Sequence, residues 1–224
     1  MQAPFQHIVN QHKFWISSER VLFWENENTL IVSDCHFGKT GHFRKSGIAI
    51  PQSVFKEDLQ RLVAQLQHFS PKHLLVVGDF FHSVANKELD LFYKWRNDLP
   101  DLSIQLVKGN HDILKEDWYI NAGISVIKKG LLINGFCFTH DNDPCNLTQP
   151  TEEHPVKYTI SGHIHPGVLV KGLAKQSLSL PCFYFGAEFA ILPAFSRFTG
   201  TALIAPKKGD CVFAIADHTL IKLC

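Results

Sequence analysis

The stretch Ile104-Gln-Leu-Val-Lys108, closed by Gly109-Asn110-His111-Asp112, decides how this chain folds and where its chemistry sits. Its first half alternates like a strand. Its second half turns on a glycine and then offers a neutral oxygen ligand, an imidazole and a carboxylate. At the end of a buried strand, that order reads as a corner for metal and phosphate. Gly, Asn and Asp are also the commonest turn residues, so a plain polar turn is the competing reading. Four other stretches repeat the design and favour the first.

Upstream, His73-Leu-Leu-Val-Val77 is a fully apolar strand that ends in Gly78-Asp79-Phe80-Phe81-His82. Helical spacing predicts a helix over Ser53 to His68, with Ser53 as its cap, and another over Lys87 to Asn97. Strand, helix, strand, helix, strand is the signature of a parallel α/β unit. Before it, His12 to Ile16, Arg20 to Trp24 and Thr29 to Ser33 read as a strand meander. The last of these runs into Asp34-Cys35-His36. In an extended segment residues i and i+2 share a face, so Asp34 and His36 are expected to reach one ion together. Cys35, pointing away, is expected to be a small buried filler. Phe37 to Pro51 reads as a loop carrying Lys39, His42, Arg44 and Lys45 without an acid.

Downstream the pattern changes to short strands. Ser125 to Lys128, Leu131 to Ile133 and Phe136 to Thr139 follow one another, the last two joined by the turn Asn134-Gly135. Phe136 to Thr139 ends in His140. Lys157 to Ile160 leads to Gly162-His163-Ile164-His165, and Val168 to Leu223 is strand-like throughout. Five apolar runs therefore finish in Asp34/His36, Asp79, Asn110/His111, His140 and His163/His165. Ligands gather beyond the carboxyl ends of strands in α/β sheets, and packing alone gives no reason for such a set.

Composition agrees with an ordinary folded protein. The 224 residues suit one domain spanning 1–224, with 45% hydrophobic and 19% charged residues and a net charge of +1. The first ten residues lack the layout of a signal peptide, and no apolar stretch suits a bilayer span, which predicts a cytoplasmic protein without membrane contact. The six cysteines show no paired spacing and are expected as reduced thiols. From His154 to Gly209, Lys157, Lys171, Lys175, Arg197, Lys207 and Lys208 stand against Glu188 alone. With Lys39, Arg44 and Lys45 they would make a basic rim for substrate; scattered solubilising lysines are the plainer alternative. Phe43, Phe80 and Phe81 are candidates for stacking on bases, though at least one of Phe80 and Phe81 is expected in the core.

The order Asp-x-His, Gly-Asp, Gly-Asn-His-Asp, His, Gly-His-x-His resembles the calcineurin-like metallophosphoesterases, from Asp34 to His165. The resemblance implies an α/β fold, a β-sandwich flanked by helices in four layers (αββα), with two metal ions at the strand ends. Carried over, Asp34, His36, Asp79 and His165 would hold one ion; Asp79, Asn110, His140 and His163 would hold the other, with Asp79 bridging. His111 would be the catalytic histidine outside the ligand set, and Asp112 is placed next to it to orient the imidazole. Two divalent ions against two carboxylates leave about +2, which attracts phosphate and lowers the pKa of a bound water. Mixed imidazole, carboxylate and amide donors suit Mn, Fe, Zn, Co or Ni.

Within the superfamily, the absence of Asp-Arg-Gly after Gly78-Asp79 counts against protein phosphatases, and His111 in place of arginine counts against lipid A pathway hydrolases. The runs His36-Phe-Gly-Lys39, His42-Phe-Arg-Lys-Ser-Gly-Ile48, Gly78 to Ser83 and Gly162 to Pro166 are similar to the bacterial ligase-associated DNA damage response endonucleases. So are Leu180 to Phe183, Leu192 to Phe195 and Phe198 to Gly200. That likeness implies a manganese-dependent phosphodiesterase cutting DNA, with repair ligase, helicase or nuclease partners. The alternatives are a small-molecule phosphatase or nucleotide pyrophosphatase on the same ions and, last, a non-catalytic scaffold.

Overall fold

The computed structural model describes residues 2–51, 53–82, 86–141, 155–171 and 177–223. In chain order the strands are β1 (Phe5–Val9), β2 (His12–Ser17), β3 (Val21–Trp24), β4 (Thr29–Val32), β5 (His73–Val77), β6 (Ser103–Val107), β7 (Ile124–Ile127), β8 (Leu131–Ile133), β9 (Phe136–Thr139), β10 (Tyr158–Ser161), β11 (Pro166–Lys171), β12 (Ser177–Phe185), β13 (Phe189–Ile191), β14 (Ala202–Leu203), β15 (Cys211–Ala216) and β16 (Thr219–Leu223). The α-helices are α1 (Lys39–Lys45), α2 (Ser53–Phe69), α3 (Lys87–Asn97) and α4 (Glu116–Asn121).

The first sheet runs β1 to β7 in sequence order. Its first half is the predicted antiparallel meander, extended by β1, which sequence reading missed. Its second half, β4 to β7, is parallel: the two predicted helices make the crossovers from β4 to β6, and α4, which sequence reading missed, makes the third to β7. The second sheet is mixed, in the order β14-β11-β12-β13-β10-β9-β8, with β15 and β16 added beside β12. The parallel neighbours β9, β10 and β13 point their carboxyl ends the same way.

The two sheets close on each other over Phe14, Trp24, Ile31, Leu75 and Val107 from one side and Phe136, Phe138, Ile160, Phe183 and Phe213 from the other. The outer face of the first sheet packs Val32, Leu74 and Leu106 against Phe55, Leu62, Leu89, Phe92 and Tyr119 of α2, α3 and α4. Helices thus flank the sandwich as expected. On the outer face of the second sheet the buried cluster is built from strand and loop residues alone among the described residues, so a helical fourth layer is not seen there. No helix among the described residues is long and apolar enough to cross a membrane.

Three local expectations are corrected. Phe37 to Pro51 is not all loop: α1 forms within it, its Gly38 cap lying in the left-handed region at φ 93°. The segment after β4 is not extended either, since Asp34 and His36 have φ of 53° and 49°. Finally, Cys35 and Cys182 are free and buried, but Cys137 and Cys211 are each disulfide-bonded, not reduced. Spacing along a chain does not reveal disulfide bonding.

Candidate metal centre

The carboxyl ends of β4, β5 and β6 in one sheet and of β9 and β10 in the other deliver all the expected donor residues. Beyond the strands, the β4 and β5 segments continue side by side through Asp34 N–H to Gly78 O (3.1 Å), His36 N–H to Asp79 O (2.9 Å) and Phe37 N–H to Phe80 O (3.0 Å). Phe37, Phe80 and Phe81 are fully buried; Phe80 and Phe81 meet Phe92 edge-on, and Phe81 also meets Trp118 edge-on. Burying each ring contributes about 1.5–3 kcal/mol, and this anchors the donor-bearing turns. Both Phe80 and Phe81 are therefore core residues, not stacking platforms.

That anchoring is needed because the backbone here is unfavourable. Asp34, His36, Asp79, His163 and His165 all sit in the left-handed region, with φ from 49° to 62°. Each non-glycine residue costs on the order of 1–2 kcal/mol there. Such outliers cluster where a function demands them. Close approach also explains the glycines: a Cβ on Gly109 would lie 2.3 Å from Asp79 Oδ1, and one on Gly78 would lie 1.8 Å from His140 Nδ1.

The donor atoms fall into two groups, Asp34/His36/His165 and Asp79/His140/His163, each within 4.8 Å of one another. In the first, Asp34 Oδ2 accepts the N–H of His163 at 3.0 Å and the hydroxyl of Ser33. His165 Nε2 stands 3.2 Å from Asp34 Oδ1 without hydrogen-bond geometry. Asp34 Oδ1 and both ring nitrogens of His36 are buried without a hydrogen-bond partner among the described residues. Orphaned buried polar atoms are costly unless something binds them, and a cation fits these donors. Burial drives the His36 pKa down to about 3, against the pull of Asp34 and Asp79, which keeps the ring neutral and available as a ligand.

In the second group, His140 Nε2 lies 3.1 Å from Asn110 Oδ1, 3.2 Å from His163 Nδ1 and 3.4 Å from Asp79 Oδ2. One proton serves one of these contacts, so the remaining lone pairs converge on a point that suits a cation. Without metal, burial would lower His140, but the hydrogen bond and charge of Asp79 outweigh it and raise the imidazole to about 9. Burial would raise Asp79, yet His140 and the His111 N–H hold it down at about 2.

His111 stands outside both donor groups. Its N–H donates to Asp79 Oδ1 at 2.8 Å, its Nε2 is 4.0 Å from Asp79 Oδ2, and 43% of its side chain is exposed. Its neighbour was missed by sequence reasoning. The His82 ring stacks on His111 at 4.4 Å with 28° between planes, and lies edge-on to His36 at 5.5 Å. Burial, then the charges of His111, Lys39 and His42, depress His82 to about 4. Its position three residues after Asp79 was the available signal.

Two predicted roles are corrected. The Asp112 carboxylate is fully buried and accepts N–H groups from Phe81 and Gly109, each at 2.9 Å. It ties the β5 and β6 turns together; it does not orient the His111 ring. Burial raises it to about 6 despite those bonds. Arg44 does not line a basic rim, since its Nη2 bonds the buried Glu88 at 2.5 Å and its Nη1 bonds Ile50 O at 3.2 Å. A buried carboxylate needs such a cation, and this one comes from α3, beyond the acid-free stretch. Lys39 does sit at the site edge, half-buried, and the side chain of Lys45 lies outside the described residues. Of the other expected rim cations, Arg197 pairs with Glu19 at 3.3 Å, and Lys157 enters β10 at the end opposite His163. Lys175 and the side chain of Lys171 lie outside the described residues, as does Ser83.

The model of the calcineurin-like phosphoesterases matches residues 28–144, more than half of the chain. The chain belongs to that family. It is also similar across 98% of its length to the whole of the Pseudomonas putida nuclease MPE, with 25% identity and a TM-score of 0.79. A phosphoesterase from E. coli, Yfce, shares 15% identity over 87% of this chain and 97% of its own, at a TM-score of 0.43, a likeness too shallow to bear on function. No curated protein matches the chain. As a calcineurin-like phosphoesterase it is a metal-dependent hydrolase of phosphoesters, and its strand ends carry donor groups suited to a two-metal site.

Proposed function

We propose that this phosphoesterase is a manganese-dependent phosphodiesterase that cuts DNA as an endonuclease in repair, in the cytoplasm. The observation that carries the reading is the end-to-end likeness to a nuclease, on a chain whose donor set is complete.

In this reading Asp34, His36 and His165 would hold one ion, Asn110, His140 and His163 would hold the other, and Asp79 would be shared. Bound there, the ions would supply an activated water and neutralise charge on the phosphate. The chain does the rest. His111 faces solvent beside Asp79, where its imidazole donates a proton to the departing oxygen or a hydrogen bond to the phosphate. His82 packs flat against that ring and fixes its plane. Asp112 holds the two turns that carry Asp79 and His111 in register. Lys39, at the rim, holds a flanking phosphate.

The test compares a chromogenic phosphodiester, a chromogenic monoester and single-stranded DNA, each with Mn, Fe, Zn, Co and Ni. The expected result is diester and DNA cleavage, strongest with Mn. His111→Asn should bind two ions and lose about 10²–10⁴-fold in DNA cleavage, less for a diester whose leaving group needs no proton. Monoester hydrolysis alone would reject the reading, and loss of metal in His111→Asn would make His111 a ligand.

A further inference from the structure

Among the 18 phenylalanines, all within the described residues, Phe198 is the most open, with 37% of its surface accessible. The ring is not on a loose loop. Phe195 N–H bonds Ser33 O at 2.7 Å and Ser196 N–H bonds Asp34 O at 3.2 Å, which stitch its turn to the chain at a candidate metal ligand. Within the turn, Phe198 N–H bonds Ser196 Oγ and Thr199 Oγ1 bonds Ser196 O. Behind it, Arg20 donates to the carbonyls of Ala194 and Ser196, at 3.1 and 2.9 Å, and the Arg61 guanidinium lies 4.1 Å over the buried Phe195 ring.

Two side chains flank the exposed ring. Phe43 meets it edge-on, 6.0 Å between centroids at 85°. The Lys39 ammonium stands over one face of the ring, 5.9 Å from its centroid; among the described residues no carboxylate lies within 4 Å of it, and Asp79 and Asp34 act on it from farther off. A half-buried cation with no carboxylate in contact, beside the candidate metal centre, suits an anion. An immobilised aromatic face next to it calls for a flat apolar group. Phosphate followed by a stackable base is the repeat of a nucleic acid strand, and a base that is free to stack has left its duplex partner.

We propose that Phe198 is a specificity-determining residue: its ring takes the base of a nucleotide flanking the scissile phosphate, while Lys39 takes that nucleotide's phosphate. This rests on the nuclease reading above and adds how a strand is told from a simple diester.

The experiment measures kcat/KM for oligothymidylate and for methyl p-nitrophenyl phosphate with wild type, Phe198→Ala, Phe198→Leu and Phe198→Trp. Stacking contributes about 1–3 kcal/mol per base, so the ratio of the two constants should fall about 5- to 150-fold in Phe198→Ala. Trp should restore it and Leu should not. A single abasic residue walked along the oligonucleotide should reproduce the loss at one position in wild type, and cost nothing further in Phe198→Ala. Equal losses on both substrates, rescue by Leu, or additive abasic and Ala effects would overturn the proposal. Oligothymidylate binding, measured by fluorescence anisotropy on the same proteins, separates the two readings. Binding that depends on Phe198 without cleavage would sink the nuclease reading and leave Phe198 as a base-stacking residue of a binding protein; binding that is absent or indifferent to Phe198 would sink the stacking role itself.

Discussion

Gly109→Ala tests whether the strand-end turns are packed as tightly as they look. Gly109 has an ordinary φ, so alanine brings no dihedral penalty, only a methyl group. That methyl would lie 2.3 Å from Asp79 Oδ1 and 2.4 Å from Asp79 N. The amide nitrogen is the decisive contact, because backbone cannot rotate away. Ordinary contact starts near 3.4 Å, so the two turns must part by ~1 Å. Overpacking of this kind costs about 1–3 kcal/mol, tolerable for a domain of this size. Function is more sensitive: a ~1 Å misplacement at a reacting centre costs on the order of 100-fold in rate. The expected outcome is a folded protein with a urea midpoint modestly lowered, weakened manganese binding by calorimetry, and diester hydrolysis down about 100-fold. Gly200→Ala is the control, since nothing lies within 4 Å of a Cβ there. If Gly109→Ala bound manganese and turned over like Gly200→Ala, Asp79 would not be held against this turn, and the steric argument would fail.

Metal binding should release protons. Below pH 6.5 His140 is charged in both folded and unfolded chains, and its pairing with Asp79 stabilises the metal-free fold; that stability fades as pH rises toward the folded pKa of about 9. At pH 7 an ion must therefore displace about one proton from His140, readable as buffer-dependent binding enthalpy. Behind the Phe195 turn, Glu19 is buried against His218 at 2.6 Å, Arg197 at 3.3 Å and Arg61 at 3.9 Å. Glu19→Gln leaves the buried Arg61 with Asp58 alone and should cost roughly 3 kcal/mol in urea unfolding. A loss under about 1 kcal/mol would demote the cluster to a solvated pair. Lys39→Ala should flatten the salt dependence of single-strand binding by about 0.7 in log–log slope. Arg44→Ala should lower the urea midpoint by unpairing Glu88 and leave that slope alone; the reverse pattern would restore Arg44 to the substrate.

Much of the fold was legible because its signals are local. Val32, Val77 and Val107 close strands whose apolar runs stop abruptly at polar turns, and α3 begins where Asn86 caps Glu88 N–H. Residues that act at a distance were not legible. Arg44 reads as a free cation until α3 brings Glu88 beneath it, and Asp112 reads as a partner of its neighbour until Phe81 N–H arrives from another strand. Phe198 carries no spacing that marks it, and His82 only its place three residues after Asp79; His111 and the Asp34 turn are their neighbours in space alone. β1 was missed because its inner face carries His7 between Phe5 and Val9 while the apolar Ile8 points outward, which blurs the alternation.

The left-handed backbone at Asp34, His36, Asp79, His163 and His165 has an evolutionary consequence. Glycine adopts that conformation without steric cost. His36→Gly would relieve about 1–2 kcal/mol of backbone strain and remove a ring whose two buried nitrogens have no hydrogen-bond partner among the described residues. The metal-free protein should then melt later than its parent, with catalysis gone. A lineage released from selection for hydrolysis would lose this centre through stabilising steps, keeping the sandwich intact while its corner drifts to glycine.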